Sequence, residues 1–175
     1  MMGYKIILSD DEWAYCYEFA AKQLPTSIDT YKKRGQVYIP KLIEDIAFGK
    51  VCELAVYKKF NGVEYPDFLV YNKTKKRGFD ADLKAGKKLI HVKSCREGLF
   101  NDGISTSWVF QPDDPLVVSP KDEDYLALCV VYKDLSIEFD IVKASKVKDL
   151  YRGPIIRSLN KKCLYLSDIQ NFLKT

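Results

Sequence analysis

Residues 78–95 of the chain read Gly-Phe-Asp-Ala-Asp-Leu-Lys-Ala-Gly-Lys-Lys-Leu-Ile-His-Val-Lys-Ser-Cys, and no other stretch restricts the fold as much. Two alternating runs flank a turn at Lys84–Lys88. Ala85-Gly86 can close that turn because glycine accepts a positive φ. Side chains two apart on a strand point together, so the first run puts Asp80 and Asp82 on one face of a sheet. The second run does the same for His91 and Lys93. An acid, a turn, and a metal-capable side chain two residues before a lysine make a pattern with chemical meaning, although a short one.

The length of 175 residues suits one domain with a proper core. Apolar and charged fractions of 47% and 30% belong to a globular chain and exclude a disordered one. The net charge of +4 excludes a histone-like polycation. Its distribution is uneven: Lys73, Lys75, Lys76, Arg77, Lys84, Lys87, Lys88, Lys93 and Arg96 are opposed in that stretch only by Asp80 and Asp82. Such a local excess attracts a polyanion such as a nucleic-acid backbone, and it equally suits a hairpin whose lysines guard an edge against aggregation. Lys32-Lys33-Arg34-Gly35 is a second candidate phosphate contact, or a solvated charge run. The five cysteines (16, 52, 95, 129 and 163) are odd in number and contain no Cys-x-x-Cys. Free thiols in a reducing compartment are expected, with neither a disulfide framework nor a zinc ribbon. No run is long enough for a signal peptide or a membrane span, which points to a cytoplasmic protein without a membrane partner.

Along the chain, Tyr4–Leu8 reads as a short strand, and Ser9 with Glu12 as a capping box. The helix that follows is expected over Asp10–Gln23, stopping before Pro25, with Thr26–Val37 as a surface loop. Pro40 suits a first helical turn, and Lys41–Phe60 reads as the longest helix, ending at Asn61-Gly62. Ile46, Gly49, Glu53, Val56, Tyr57 and Phe60 share a side. Glu53 on that stripe needs a cation, either a metal or a neighbour such as Lys50. Gly49 is expected to admit a close approach by another backbone or a ligand. Asp67–Tyr71 and Thr106–Gln111 read as strands. Ser94–Ser105 reads as a loop. Tyr125–Tyr132 reads as a strand buried on both faces, with Ser136–Val142 closing against it. A short helical stretch, a loop at Gly153-Pro154, a strand near Cys163–Leu166 and a last helix capped by Ser167 complete the chain.

The order is therefore a helix carrying Glu53, a strand with Asp82, a turn, and a strand with His91-Val92-Lys93. It resembles the PD-(D/E)xK nuclease superfamily, the restriction-endonuclease-like fold. Gly49-Lys50-Val51-Cys52-Glu53 is similar to that family's helix motif. Asp82-Leu83, Gly86 and Ile90-His91-Val92-Lys93-Ser94 are similar to its hairpin. The resemblance covers residues 41–111, and its motifs are short and degenerate, so order and spacing carry it. It implies an α/β (α+β) fold, a central mixed sheet flanked by helices, with the core over residues 41–142. It further implies that Asp82 bridges a catalytic Mg²⁺ or Mn²⁺, supported by Glu53 and by the Val92 carbonyl. Lys93 would orient and help deprotonate the water that attacks phosphorus. Mg²⁺ takes oxygen ligands, retains waters and neutralises charge developing on a phosphate, so the set is chemically coherent. Gln111 is similar to a glutamine that some members place near the site. Small members often act as dimers to cut two strands.

Two departures stand out. His91 occupies the place of the family's acidic residue, and imidazole suits Mn²⁺, Fe²⁺ or Zn²⁺ better than Mg²⁺. It is a substituted ligand, a hydrogen-bonding group for phosphate or water, a mark of lost activity, or a core histidine. The glycine-rich polar stretch after Lys93 replaces a helix that many members have. Asp80 is an alternative to Asp82, which the nine-residue spacing to His91 favours. Three functions follow. The first is a metal-dependent DNA endonuclease, with Glu53, Asp82, His91 and Lys93 catalytic, and Lys75, Lys76, Arg77, Lys87, Lys88 and Arg96 on the nucleic acid. The second is a disabled nuclease-like module that binds nucleic acid. The third is a protein in which Glu53, Asp82 and Lys93 form a buried ion cluster.

Overall fold

The computed structural model describes residues 2–33, 35–70, 80–98, 106–154 and 160–174. It begins with β1 (Tyr4–Ile6), α1 (Asp10–Lys33) and α2 (Ile39–Lys59). The hairpin strands β2 (Leu83–Ala85) and β3 (Lys88–Arg96) follow, then β4 (Ser107–Phe110) and the single turn α3 (Pro115–Val118). β5 (Asp124–Val131), β6 (Ile137–Lys143), two 3-10 turns, β7 (Lys162–Tyr165) and α4 (Leu166–Phe172) complete it.

The fold is mixed α+β. One sheet has the order β1-β6-β5-β3-β2, and β4 pairs with β7 in a separate ribbon. The hairpin is antiparallel, with Leu83 opposite Ile90 and Ala85 opposite Lys88, and Gly86 closes it at φ +60°, as the sequence predicts. β3 and β5 run parallel, so the chain must cross over between them, and β4 and α3 lie on that crossover. β6 returns antiparallel to β5, and β1 adds an edge beyond it.

β5 is apolar from Leu126 to Val131 because both its faces are covered there. Ala127, Cys129 and Val131 pack with Val51, Cys52 and Ala55 of α2 and with Phe139. Leu126, Leu128 and Val130 pack with Trp108, Leu164 and Ile169 on the other side. Trp108 is fully buried and donates its indole N–H to the Cys129 carbonyl at 2.9 Å. All five cysteines are free thiols, and burial pushes those of Cys16, Cys52 and Cys95 up.

Several sequence expectations need correction. α1 does not stop before Pro25 but runs to Lys33. Proline removes one helical donor, and a side-chain network flanks it: Thr26 Oγ1 donates to the Gln23 carbonyl, while Gln23 Nε2 donates to Thr26 and Ser27. The reciprocal cap at the other end forms as expected, with Ser9 N–H on Glu12 at 2.8 Å and Glu12 N–H on Ser9 Oγ at 3.3 Å. Residues 67–70 are not a strand; Asp67 Oδ1 instead accepts the Leu69 N–H, and Leu69 and Val70 are exposed. α2 is buried on more than one side, since it lies between α1 and the sheet. A Cβ on Gly49 would meet nothing within 4 Å, so no close approach explains that glycine. Ser167 lies inside α4 rather than capping it. Among the described residues, no helix is long and apolar enough to cross a membrane.

Candidate functional site

Alternation along β3 decides which predicted residues can meet. His91 stands opposite Leu126, Val92 opposite Ala127, and Lys93 opposite Leu128. Ladder partners share a face, so Val92 faces α2 with Ala127. His91 and Lys93 face the opposite layer, where Leu126 and Leu128 pack on Trp108. Glu53, on α2, is therefore separated from His91 and Lys93 by the sheet. The four-residue constellation is not assembled, and the physical reason is the period of two itself: any pair sharing a strand face turns away from the layer that holds its neighbours.

Each residue has local partners instead. Glu53 Oε2 accepts from Lys50 Nζ at 2.6 Å, both side chains being about nine-tenths buried. Lys50 also donates to the Asp67 carbonyl at 2.9 Å and lies 5.3 and 5.6 Å from the rings of Phe19 and Phe68. A cation between two aromatic faces and a carboxylate answers the need of a buried glutamate. Across the sheet, His91 Nε2 lies 3.2 Å from Asp124 Oδ1. Lys93 Nζ lies 3.7 Å from Asp114 Oδ2 and 5.0 Å from the Phe110 ring. Asp114 also caps α3 through the Leu116 N–H. Tyr151, edge-on to Phe110, has its phenol pushed well up by burial and then by the Asp114 charge. The Lys93–Glu53 contact of an ion-cluster protein is absent as well, because the same sheet separates those two residues.

Asp82 holds the ground between the two sides. Neither Asp80 nor Asp82 lies on a strand as the sequence predicts, since β2 begins only at Leu83; Asp82 stands just before it, and its Oδ2 accepts the Val92 N–H at 2.8 Å. A strand residue's N–H and C=O point to the same edge, so the Val92 carbonyl opens beside Asp82. Asp82 also lines a cleft of about 290 Å³ with Asp80, Lys50, Glu64 and Asp67. Asp82 therefore meets the Val92 backbone through its N–H, and Asp80 shares the cleft with Asp82. Among the described residues, no group of three or more histidine, cysteine or acidic side chains is placed to hold a metal ion, so the ligand set of Asp82, His91 and Glu53 does not form.

The basic residues divide likewise. Lys87 and Lys88 are exposed at the hairpin turn. Arg96 is neutralised by Glu44 and Asp45 and lies over Phe48 at 4.8 Å, so it is not the open phosphate contact expected. Lys75, Lys76 and Arg77 lie outside the described residues. Gln111 follows β4 on the Lys93 side and accepts from Lys161 at 2.5 Å. Sequence reasoning missed Asp114 and Asp124. The only signal for the first was Asp-Pro at a helix start, and nothing in the sequence pairs the second with His91. Compared with known proteins, the chain matches no family model, no curated protein and no solved structure.

Proposed function

We propose that this chain is a metal-dependent phosphodiesterase acting on DNA, with its working centre at the edge where Asp82 meets the Val92 backbone. The observation that carries the reading is the shared cleft: Asp80, Asp82 and Lys50 line one opening beside that edge. Hard oxygen donors of this kind suit Mg²⁺ or Mn²⁺, which are commonly held by one or two carboxylates, retained waters and the substrate's own phosphate. Asp82 and Asp80 are the residues that would hold such an ion, and it would supply charge neutralisation at the phosphate. Lys50 and Lys84 both line this cleft; Lys50, positioned by Glu53 and the Asp67 carbonyl, is the one held in place to orient a water there. Lys93, on the far face, holds Asp114 and the crossover in place. The order of helix, hairpin and parallel return supports a restriction-endonuclease-like arrangement as part of the same reading.

The test is a cleavage assay on plasmid, single-stranded and branched DNA with Mg²⁺ or Mn²⁺. Asp82→Ala is expected to abolish cutting while leaving a folded, DNA-binding protein. Wild-type protein that cuts none of these substrates ends the reading. A second reading, a nuclease-like module that binds nucleic acid without cutting it, is favoured by one observation: Glu53, His91 and Lys93 are each held by a protein partner. It predicts binding that weakens steeply with salt and ignores divalent metal.

A further inference from the structure

At the hairpin's closed end, away from Asp82, a second cleft of about 430 Å³ opens between the end of α2 and the sheet. Tyr4, Phe60 and Tyr125 line it with Ile90, and Asn61 and Lys88 stand at its rim. Tyr4 meets Phe60 edge-on at 5.1 Å, which fixes one aromatic wall. Lys59 Nζ stands 5.3 Å from the Tyr4 ring, and Lys88 Nζ 5.3 Å from the Tyr125 ring. Neither lysine has an acidic partner among the described residues. Asp140, which borders the cleft, stands opposite Leu128 in the ladder and accepts the Gly3 N–H, so its carboxylate is turned to the other face.

An aromatic floor under two ammonium groups selects a planar ring joined to an anion. Aromatic side chains stack on any base, lysines take phosphate as point charges, and the Asn61 amide offers both a donor and an acceptor. The volume is that of an ordinary small-molecule site. We infer that this cleft binds a nucleoside phosphate, its base between Tyr4 and Tyr125 and its phosphate on Lys59 and Lys88. The inference rests on the nucleic-acid reading above only in its choice of polymer: the nucleotide is either free or the phosphorylated end of a strand.

The probe is 2-aminopurine riboside 5′-monophosphate, whose fluorescence falls when the base stacks, together with short single strands carrying 2-aminopurine at a 5′-phosphorylated end or internally. Quenching is expected with the monophosphate, and ribose 5-phosphate should compete poorly. The surface pair Lys59→Gln/Lys88→Gln is expected to weaken binding about tenfold, as is Tyr125→Leu, whereas Tyr125→Phe retains it. Quenching of the terminal but not the internal label identifies a strand end. Quenching by the monophosphate that the strands do not compete away identifies a free nucleotide. No quenching at millimolar probe, or affinity indifferent to both the lysine pair and Tyr125→Leu, overturns the inference. Asp82→Ala leaves the quench unchanged. A stacking cleft in a protein that cuts nothing sinks the hydrolase reading alone, and cutting with an unresponsive cleft sinks this inference alone.

Discussion

The two lysine–carboxylate pairs on either side of β3 are built by different rules. Lys50 and Glu53 sit one turn apart on α2, 2.6 Å from each other and buried. Neighbours at that spacing meet on any helix, so the pair forms wherever the helix forms. Lys93 and Asp114 come from a strand and from the crossover that follows it, at 3.7 Å, with the lysine side chain 30% exposed. That pair exists only because the crossover lays β4 and α3 over one face of the sheet. The first pair is an intimate, desolvated contact facing a cleft. The second is a looser tether between layers. A lysine two residues after a metal-capable side chain looks catalytic in one dimension, yet the lysines that share an opening with Asp80 and Asp82 are Lys50 of α2 and Lys84 of β2.

The largest expected effect separates the cleft from the far face. Lys50→Gln should lower the cleavage rate on the order of 10²-fold, the scale of a lost positioning group, while Lys93→Gln should change it by less than about threefold. Rates in the reverse order, measured on variants whose circular dichroism matches wild type, would return the chemistry to Lys93 and break the comparison. Asp82→Ala belongs with the larger class and should also remove the response of the rate to Mg²⁺.

Stability sharpens the same contrast. Glu53→Ala strands a buried ammonium, and losing one partner of such a pair costs about 3–5 kcal/mol. Asp114→Ala removes a cap and a part-exposed ion pair, for which about 1–2 kcal/mol is expected. Urea denaturation midpoints compare the two directly, and equal losses would show that burial does not distinguish these pairs. The smallest effect concerns Asp140. Burial first of all holds its carboxyl above the ordinary carboxylate range. A raised folded-state value favours the protonated form, so this group's contribution is full below the ordinary aspartate value and is lost as pH rises through the folded one. Asp140→Asn, which can still accept the Gly3 N–H, should therefore be slightly more stable than wild type at pH 7 and equal to it near pH 3. Thermal melts at the two values decide the point, and an advantage that persists in acid would contradict it.

Much of the architecture was legible before any coordinates. The hairpin closed by Gly86, the capping box of Ser9 and Glu12, and the doubly covered strand at Tyr125–Tyr132 each announce themselves through a local rule. The helix through Pro25 was not legible, because the propensity of a proline says nothing of the hydrogen bonds among Gln23, Thr26 and Ser27 that flank it. Nor was the failed strand at residues 67–70, where an aspartate turn and the Lys50 hydrogen bond overrode a β-prone run. In the candidate site, the nearness of Asp82 to the Val92 backbone followed from the hairpin spacing. The partners of His91, Lys93 and Glu53 did not, apart from the Lys50 alternative that helix periodicity allows.

What the sequence alone determined is most of the elements, the run through Pro25 and residues 67–70 excepted, and the face each side chain occupies on its own strand or helix, since period, cap and turn are short-range properties of a polymer. Only the tertiary structure decided which faces look at each other. It set α2 against Val92 and the crossover against Lys93, because layer packing is fixed by the burial of whole apolar faces, and a few charged residues of motif spelling have no vote against that area.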